Sequence, residues 1–141
     1  MTNIDLSQKI VYLAAPKPQL SSDMYSRAFT FLLAQSKGVI NPQWMFSDNQ
    51  DWRNNYQTRL LEAGANAMVI VSDNKIVGRG VYDEYSFFVY RFCSVYYYDE
   101  TEEYFENYER PIYSQMLLPV IRLEIIDEDD WKEYARIKLY K

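Results

Sequence analysis

Residues 67–90 read AMVIVSDNKIVGRGVYDEYSFFVY, and the way this stretch divides decides the fold. Ala67 to Val71 are small or branched and wholly apolar, which describes a strand buried on both faces of a parallel sheet. Polar residues and two glycines then mark a loop that lasts through Gly80. From Val81 the aromatic and aliphatic residues predict a helix to about Tyr96. A strand, a loop and a helix in that order make most of a β–α–β unit.

The flanking sequence repeats the alternation. Upstream, KIVYLAA (residues 9–15) reads as a buried strand ended by Pro16 and Pro18. Ser21, Ser22 and Asp23 supply N-cap chemistry for a helix to about Gln35, and Gly38 closes it. Val39 and Ile40 form a short strand, and a polar loop leads to a helix from about Trp52 to Ala63. Tyr56, Leu60 and Leu61 lie on its expected inner face, with Gly64 as the stop signal. Downstream, acidic and aromatic residues 99–110 read as a solvated helical face or loop. PVIRLEII (119–126) reads as a fourth strand, and DWKEYARIKLYK (130–141) as an amphipathic helix capped by Asp127 and its acidic neighbours. Together these elements predict one domain over residues 1–141: a parallel α/β sheet of about four to five strands, covered on both faces.

Composition restricts the chemistry. Twenty acidic residues against fifteen basic ones give a net charge of −5, which argues against a nucleic-acid polymer as partner. No apolar run approaches the ~20 residues of a membrane span, and MTNIDLSQK lacks the apolar centre of a signal peptide. With Cys93 as the single cysteine, an internal disulfide is excluded and a cytoplasmic location is expected. The chain has no histidine, which removes Ser–His and Cys–His nucleophile pairs and histidine-based zinc sites. Cys93 is therefore expected to be a buried, inert thiol within a helix. Fourteen tyrosines suit a ligand pocket or a subunit interface as well as a core.

In parallel sheets ligands bind at the carboxyl ends of strands, which gathers loops 14–23, 41–51 and 72–83. Glu84 is read as a carboxylate near a helix N-terminus, where orphan N–H groups favour its ionised form; the same facts describe an ordinary helix-start stabiliser. Gly78 and Gly80 would permit unusual dihedrals and a close ligand approach. Tyr12 lies in the first strand and either fills the core or orients a rim carboxylate. Asn66 precedes the third strand and reads as a turn residue or a hydrogen-bonding group. Arg27 and Arg79 are solvated by default, with an anionic ligand as the alternative. Residues 127–130 read as a cap rather than a metal cluster.

In this order the segments KIVYLAAP, GVINPQWMF, DWRNNYQTRLLEAGANAMVIVSD and GRGVYDEYSFF resemble the nucleoside 2-deoxyribosyltransferase-like family, over about residues 9–90. The likeness is greatest to a small phage and bacterial branch with VINP, a following Trp and a Gly-rich loop bearing a Glu. The resemblance implies a flavodoxin- or Rossmann-like three-layer sandwich that cleaves or transfers at N-glycosidic bonds of nucleosides or nucleotides. It implies Glu84 as nucleophile, Tyr12 as the residue that holds it, and a covalent glycosyl-enzyme, with neither metal nor cofactor. Pro16, Ser21, Trp44, Asn66, Asp73, Gly78, Arg79 and Gly80 are the expected substrate-binding positions. Homodimers or higher homo-oligomers are expected, with no membrane partner. Two departures stand out: Asn66 replaces an expected Asp, and Gly78 replaces an acid six residues before the nucleophile. Neither can protonate a leaving base, which leaves a nucleotide-sequestering or sensing protein as the alternative.

Overall fold

The computed structural model describes residues 4–42, 49–107, 109–126 and 134–139, with side chains in the second helix described from residue 54. In chain order the elements are β1 (Ile10–Ala14), α1 (Asp23–Gln35), β2 (Gly38–Ile40), α2 (Asn49–Ala63) and β3 (Ala67–Ile70). They are followed by β4 (Ile76–Gly78), α3 (Arg79–Tyr90), β5 (Ser94–Glu103), β6 (Ile112–Ile125) and β7 (Tyr134–Leu139). A 3-10 turn, Lys17–Gln19, lies between β1 and α1.

The strands form one mixed sheet of seven in the order β2-β1-β3-β5-β6-β7-β4. The first four are parallel, with Tyr12 opposite Ile40 on one side and Met68 on the other. The last three are antiparallel additions. The expectation of a parallel sheet of four to five strands is met in part: β1, β2 and β3 are parallel strands where expected, the fourth parallel strand, β5, falls where a helix end and a solvated segment were expected, and the expected strand 119–126 lies in antiparallel β6.

Alternation along β1 and β3 sorts the core onto two faces. Val11, Leu13, Val69 and Val71 cluster with Tyr25, Ala28 and Leu32 of α1. Tyr12, Ala14, Met68 and Ile70 cluster with Leu60 of α2 and with Val81 and Phe88 of α3. Helix α1 starts where the sequence places it, because Ser22 accepts a hydrogen bond from the Tyr25 N–H at 3.1 Å.

Strands β4, β5 and β7 were hidden for identifiable reasons. β4 is only three residues long and lies inside the expected loop 72–80. Helix α3 stops at Tyr90, not Tyr96, and the chain turns through Arg91–Cys93 into β5. The run SVYYY carries strand-favouring residues and buries Val95 and Tyr97 on one face and Tyr98 on the other. Consequently Tyr96 and Tyr97 belong to a strand, as do the acidic residues up to Glu103. Cys93 sits half-buried in the turn rather than buried in a helix. At the C-terminal end, YARIKL alternates inward Ala135 and Ile137 with outward residues, and that period of two makes β7 a strand. The expected cap at 127–130 lies outside the described residues.

β6 joins the two parts of the sheet. Residues 112–119 pair with β5, whereas residues 120–125 pair with β7. The change of partner falls at Pro119, which has no N–H to donate, and at a register irregularity between Val120 and Arg122.

Helices α2 and α3 end in the same way. After α2 the Gly64 N–H reaches Leu61 O and the Ala65 N–H reaches Leu60 O. After α3 the Phe92 N–H reaches Val89 O and the Cys93 N–H reaches Phe88 O. Both are Schellman closures, which place one residue in the left-handed region. At Gly64 (φ 76°) that conformation is free of strain, but at Phe92 (φ 59°) a bulky side chain occupies it. Phe92 is also 98% exposed, so its ring packs on none of the described residues. Leu61, expected inward, is 47% exposed, while Leu60 takes the core position.

Candidate functional site

The structure brings Glu84 and Tyr12 together. The Tyr12 hydroxyl donates to Glu84 Oε2 at 2.5 Å, between residues 72 positions apart in sequence. Tyr12 is fully buried at the centre of β1, and its ring stacks on Phe88 with centroids 5.9 Å apart and planes inclined by 3°. Phe88 and Glu84 are four residues apart on α3, so one helix face supplies both contacts.

Glu84 is not a helix-start acid. Gly78 is the N-cap, no acidic residue occupies the first turn, and Glu84 lies in the second turn with 6% of its surface exposed. Its position is fixed by the strand, not by the orphan N–H groups of the helix end. A buried carboxylate needs such donors to offset its lost hydration.

Two further tyrosines lie within the field of Glu84. Burial pushes the Tyr25 phenol up, with the Glu84 charge as a second cause. Its hydroxyl donates to Leu13 O at 2.8 Å. Tyr56 of α2 is also raised by burial, with smaller contributions from Asp83 and Glu84. Its ring packs edge-on against Phe87 at 6.0 Å. Sequence periodicity assigns Tyr56 an inward face and gives no signal for Tyr25 as a neighbour of Glu84.

The other candidate residues are dispersed around this pair. Gly78 has ordinary extended backbone, so no unusual dihedral requires glycine there. A Cβ at Gly80 would meet no described atom within 4 Å. Arg79 pairs with Asp83 at 3.6 Å, and both side chains are half exposed. Pro16 accepts the Gln19 N–H through its carbonyl at 2.8 Å, as the start of the 3-10 turn. Trp44 lies outside the described residues. Asn66 sits at the opposite end of the sheet: its Oδ1 accepts the Ile10 N–H at 2.8 Å, and its own N–H reaches Ile10 O at 3.0 Å. It clamps the amino ends of β1 and β3.

Two concavities open at the carboxyl ends of the parallel strands. One, of about 220 Å³, is lined by Ser21, Ser22, Tyr25 and Asn41 among others. The other, of about 300 Å³, is lined by residues including Arg27, Asp73, Tyr97, Asp99, Glu100 and Tyr113. Neither has Glu84 or Tyr12 in its lining.

Arg27 is not a solvated cation. Its guanidinium donates to both oxygens of Glu100, at 3.0 and 2.6 Å, and lies 3.7 Å from the centroid of the Tyr113 ring. Tyr98 donates to Glu100 at 2.7 Å, and Gln115 donates to Tyr98 at 2.7 Å. Burial alone would raise the Glu100 carboxyl, but hydrogen bonds from Arg27 and Tyr98 and the Arg27 charge hold it below its ordinary range.

Among the described residues no group of three or more carboxylates and cysteines is placed to hold a metal ion. No described helix is long and apolar enough to cross a membrane. No family model, curated protein or solved structure matches this chain.

Proposed function

We propose that this chain acts on the N-glycosidic bond of a nucleoside or nucleotide, with Glu84 as nucleophile and Tyr12 as its positioning residue. The observation that carries this reading is the buried hydrogen bond from Tyr12 to Glu84 Oε2. The parallel strand order β2-β1-β3-β5 supports it further. Flavodoxin-like doubly wound sheets have that order and bind ligands at the strand carboxyl ends, beside the point between β1 and β3 where the order reverses.

A Glu84 carboxylate oxygen attacks the anomeric carbon. The C–N bond breaks, its electron pair leaves with the base, and a glycosyl ester remains. Water then gives the free sugar, or a second base gives a new nucleoside; either restores the carboxylate. Tyr12 holds Oε2 and so fixes the direction from which the carboxylate meets the sugar. The step needs no histidine, metal or cofactor.

The burial of Glu84 and the absence of a side chain at Gly78 favour a second reading, a protein that binds a nucleotide without turning it over. One experiment separates the two. Deoxynucleosides, ribonucleosides and their monophosphates are incubated with the protein, with and without a second free base, and the products are separated by chromatography. Release of base, abolished in Glu84→Gln, is the expected result. Glutamine keeps an oxygen for Tyr12 and loses the nucleophile. Turnover that survives this substitution overturns the mechanism. Ligand-induced thermal stabilisation without turnover establishes the binding protein instead. A homodimer or higher oligomer is part of the proposal, and a light-scattering mass equal to the monomer would refute it.

A further inference from the structure

The two ends of β6 belong to surfaces of opposite charge. Where β6 pairs with β5, the ribbon runs on past Tyr97, the last residue of β5 paired with β3, to a turn at residues 104–111. That tip exposes Glu102, Glu103, Glu106 and Glu109, with Arg110 as the base among its described residues, and it exposes the rings of Tyr104 and Phe105. Where β6 pairs with β7, alternation turns Leu123, Ala135 and Ile137 inward. Arg122, Glu124, Arg136 and Lys138 are left on the opposite face, all of them exposed or half-exposed. Glu124 is shared between Arg122 at 3.6 Å and Lys138 at 3.7 Å, and Arg136 forms no ion pair with a described residue. In a chain of net charge −5 this basic face is a local exception.

The fold itself shows what such a ribbon grips. At the ribbon's base Arg27 is held by both oxygens of Glu100 and lies 3.7 Å from the centroid of the Tyr113 ring. Glu102 follows Glu100 on the same face of β5 and stands opposite Tyr113 in the register. The Tyr104 hydroxyl donates to Glu102 at 2.7 Å. Carboxylate and tyrosine are thus repeated one step further out, where Glu102 forms no ion pair with a described residue. A guanidinium suits that combination, because its plane can lie on a ring while its fork meets a carboxylate.

We propose that two copies of this chain associate reciprocally, the acidic tip of each ribbon seated on the Arg122, Arg136 and Lys138 face of the other. Both surfaces belong to β6, one on each side of Pro119, where the strand changes partner. A two-fold axis beside Pro119 therefore brings each tip to the opposite face and makes both contacts at once. Arginine then meets carboxylate and ring between the copies as Arg27 does within one of them, and surfaces of like charge are kept apart. The interface gives the oligomer proposed above a location. It uses neither Glu84 nor Tyr12, so it stands or falls apart from the N-glycosidic chemistry.

The test is a charge swap followed by sedimentation equilibrium on the full chain. Wild type is expected to be a dimer whose dissociation constant rises at least about 10-fold from low to high salt. One variant, Arg122→Glu with Arg136→Glu, makes tip and face both acidic. The other, Glu102→Lys with Glu106→Lys, makes both basic. Each alone should sediment as a monomer with a melting temperature near that of the wild-type monomer at high dilution. Mixed in equal amounts they should form a dimer again, because each tip then finds a face of opposite sign. A monomeric wild type overturns the interface and the proposed oligomer together. A dimer indifferent to salt and to both variants overturns this interface and leaves the oligomer standing. Variants that separate but do not associate on mixing overturn the reciprocal pairing, and so does a wild-type mass that grows past the dimer with concentration. If either variant fails to fold, the salt series on wild type decides: a dissociation constant unchanged by salt overturns the proposal.

Discussion

Replacing Tyr12 by Phe removes one hydroxyl from the middle of β1 and deprives the buried Glu84 of a donor. Losing one hydrogen bond to a buried carboxylate costs about 1–3 kcal/mol, so urea denaturation of Tyr12→Phe should show a loss of that size. Glu84→Gln in the same background should recover part of it, because a carboxamide loses less on burial than a charge does. Base release, if the proposed chemistry holds, should fall in Tyr12→Phe through kcat more than through KM, since the hydroxyl acts on the nucleophile and not on the substrate. Both members of the pair were legible as candidates in the sequence. What fixes Glu84 was not legible: VGRGVYDE suggests a helix-start acid, and only the packing of α3 on β1 reveals a second-turn residue held by a strand.

The two Schellman closures give a paired test at the level of single elements. Gly64→Ala forces a Cβ into the left-handed region at the end of α2 and should cost about 1 kcal/mol. Phe92→Gly should do the reverse at the end of α3, stabilising by about 0.5–1 kcal/mol, since the exposed ring contributes no packing that would be lost. The β5–β6 ribbon is a second such element. Beyond Tyr97, β5 has no partner strand among the described residues on the β3 side, and Arg27 anchors it through Glu100 while Gln115 reaches the Arg27 carbonyl at 3.3 Å. Arg27→Ala should therefore speed amide hydrogen exchange in residues 98–103 and 112–117 while leaving β1 and β3 protected. Sequence periodicity found α1, α2 and the parallel strands β1, β2 and β3 because each obeys a single period over its length. It extended α3 through Tyr96 because aromatic residues suit both a helix face and a strand, and nothing local separates Phe88 from Tyr97.

At the scale of the molecule, buried tyrosines set the response to alkali. Tyr97 is pushed up to about 12 from the ordinary 10.0, and Tyr25 and Tyr98 are raised as well, all chiefly by burial. The folded chain thus keeps protons that the unfolded chain releases. Stability is fully present below pH 10 and is lost as pH rises from there through the folded values. Urea midpoints followed across that window, alongside tyrosinate absorbance, should fall steeply, and Tyr97→Phe should flatten the decline. In acid, Glu100 acts with the opposite sign: its contribution is present above its ordinary 4.5 and is lost as pH falls through its lower folded value. The antiparallel half of the sheet was the least legible part of the whole, because its pairings join β4 to residues more than fifty positions away.

That long-range pairing also orders events during synthesis. Gly78, the N-cap of α3, is paired with Tyr134, and the Ile137 N–H bonds to Lys75 O at 2.8 Å. The helix carrying Glu84 therefore begins on a strand that stays without its neighbour until the ribosome has released residues 134–137. The four parallel strands can assemble as soon as β5 has emerged, but the N-terminal end of α3 is secured only afterwards. A nascent chain stalled between these points would hold a formed parallel sheet beside an unfinished site.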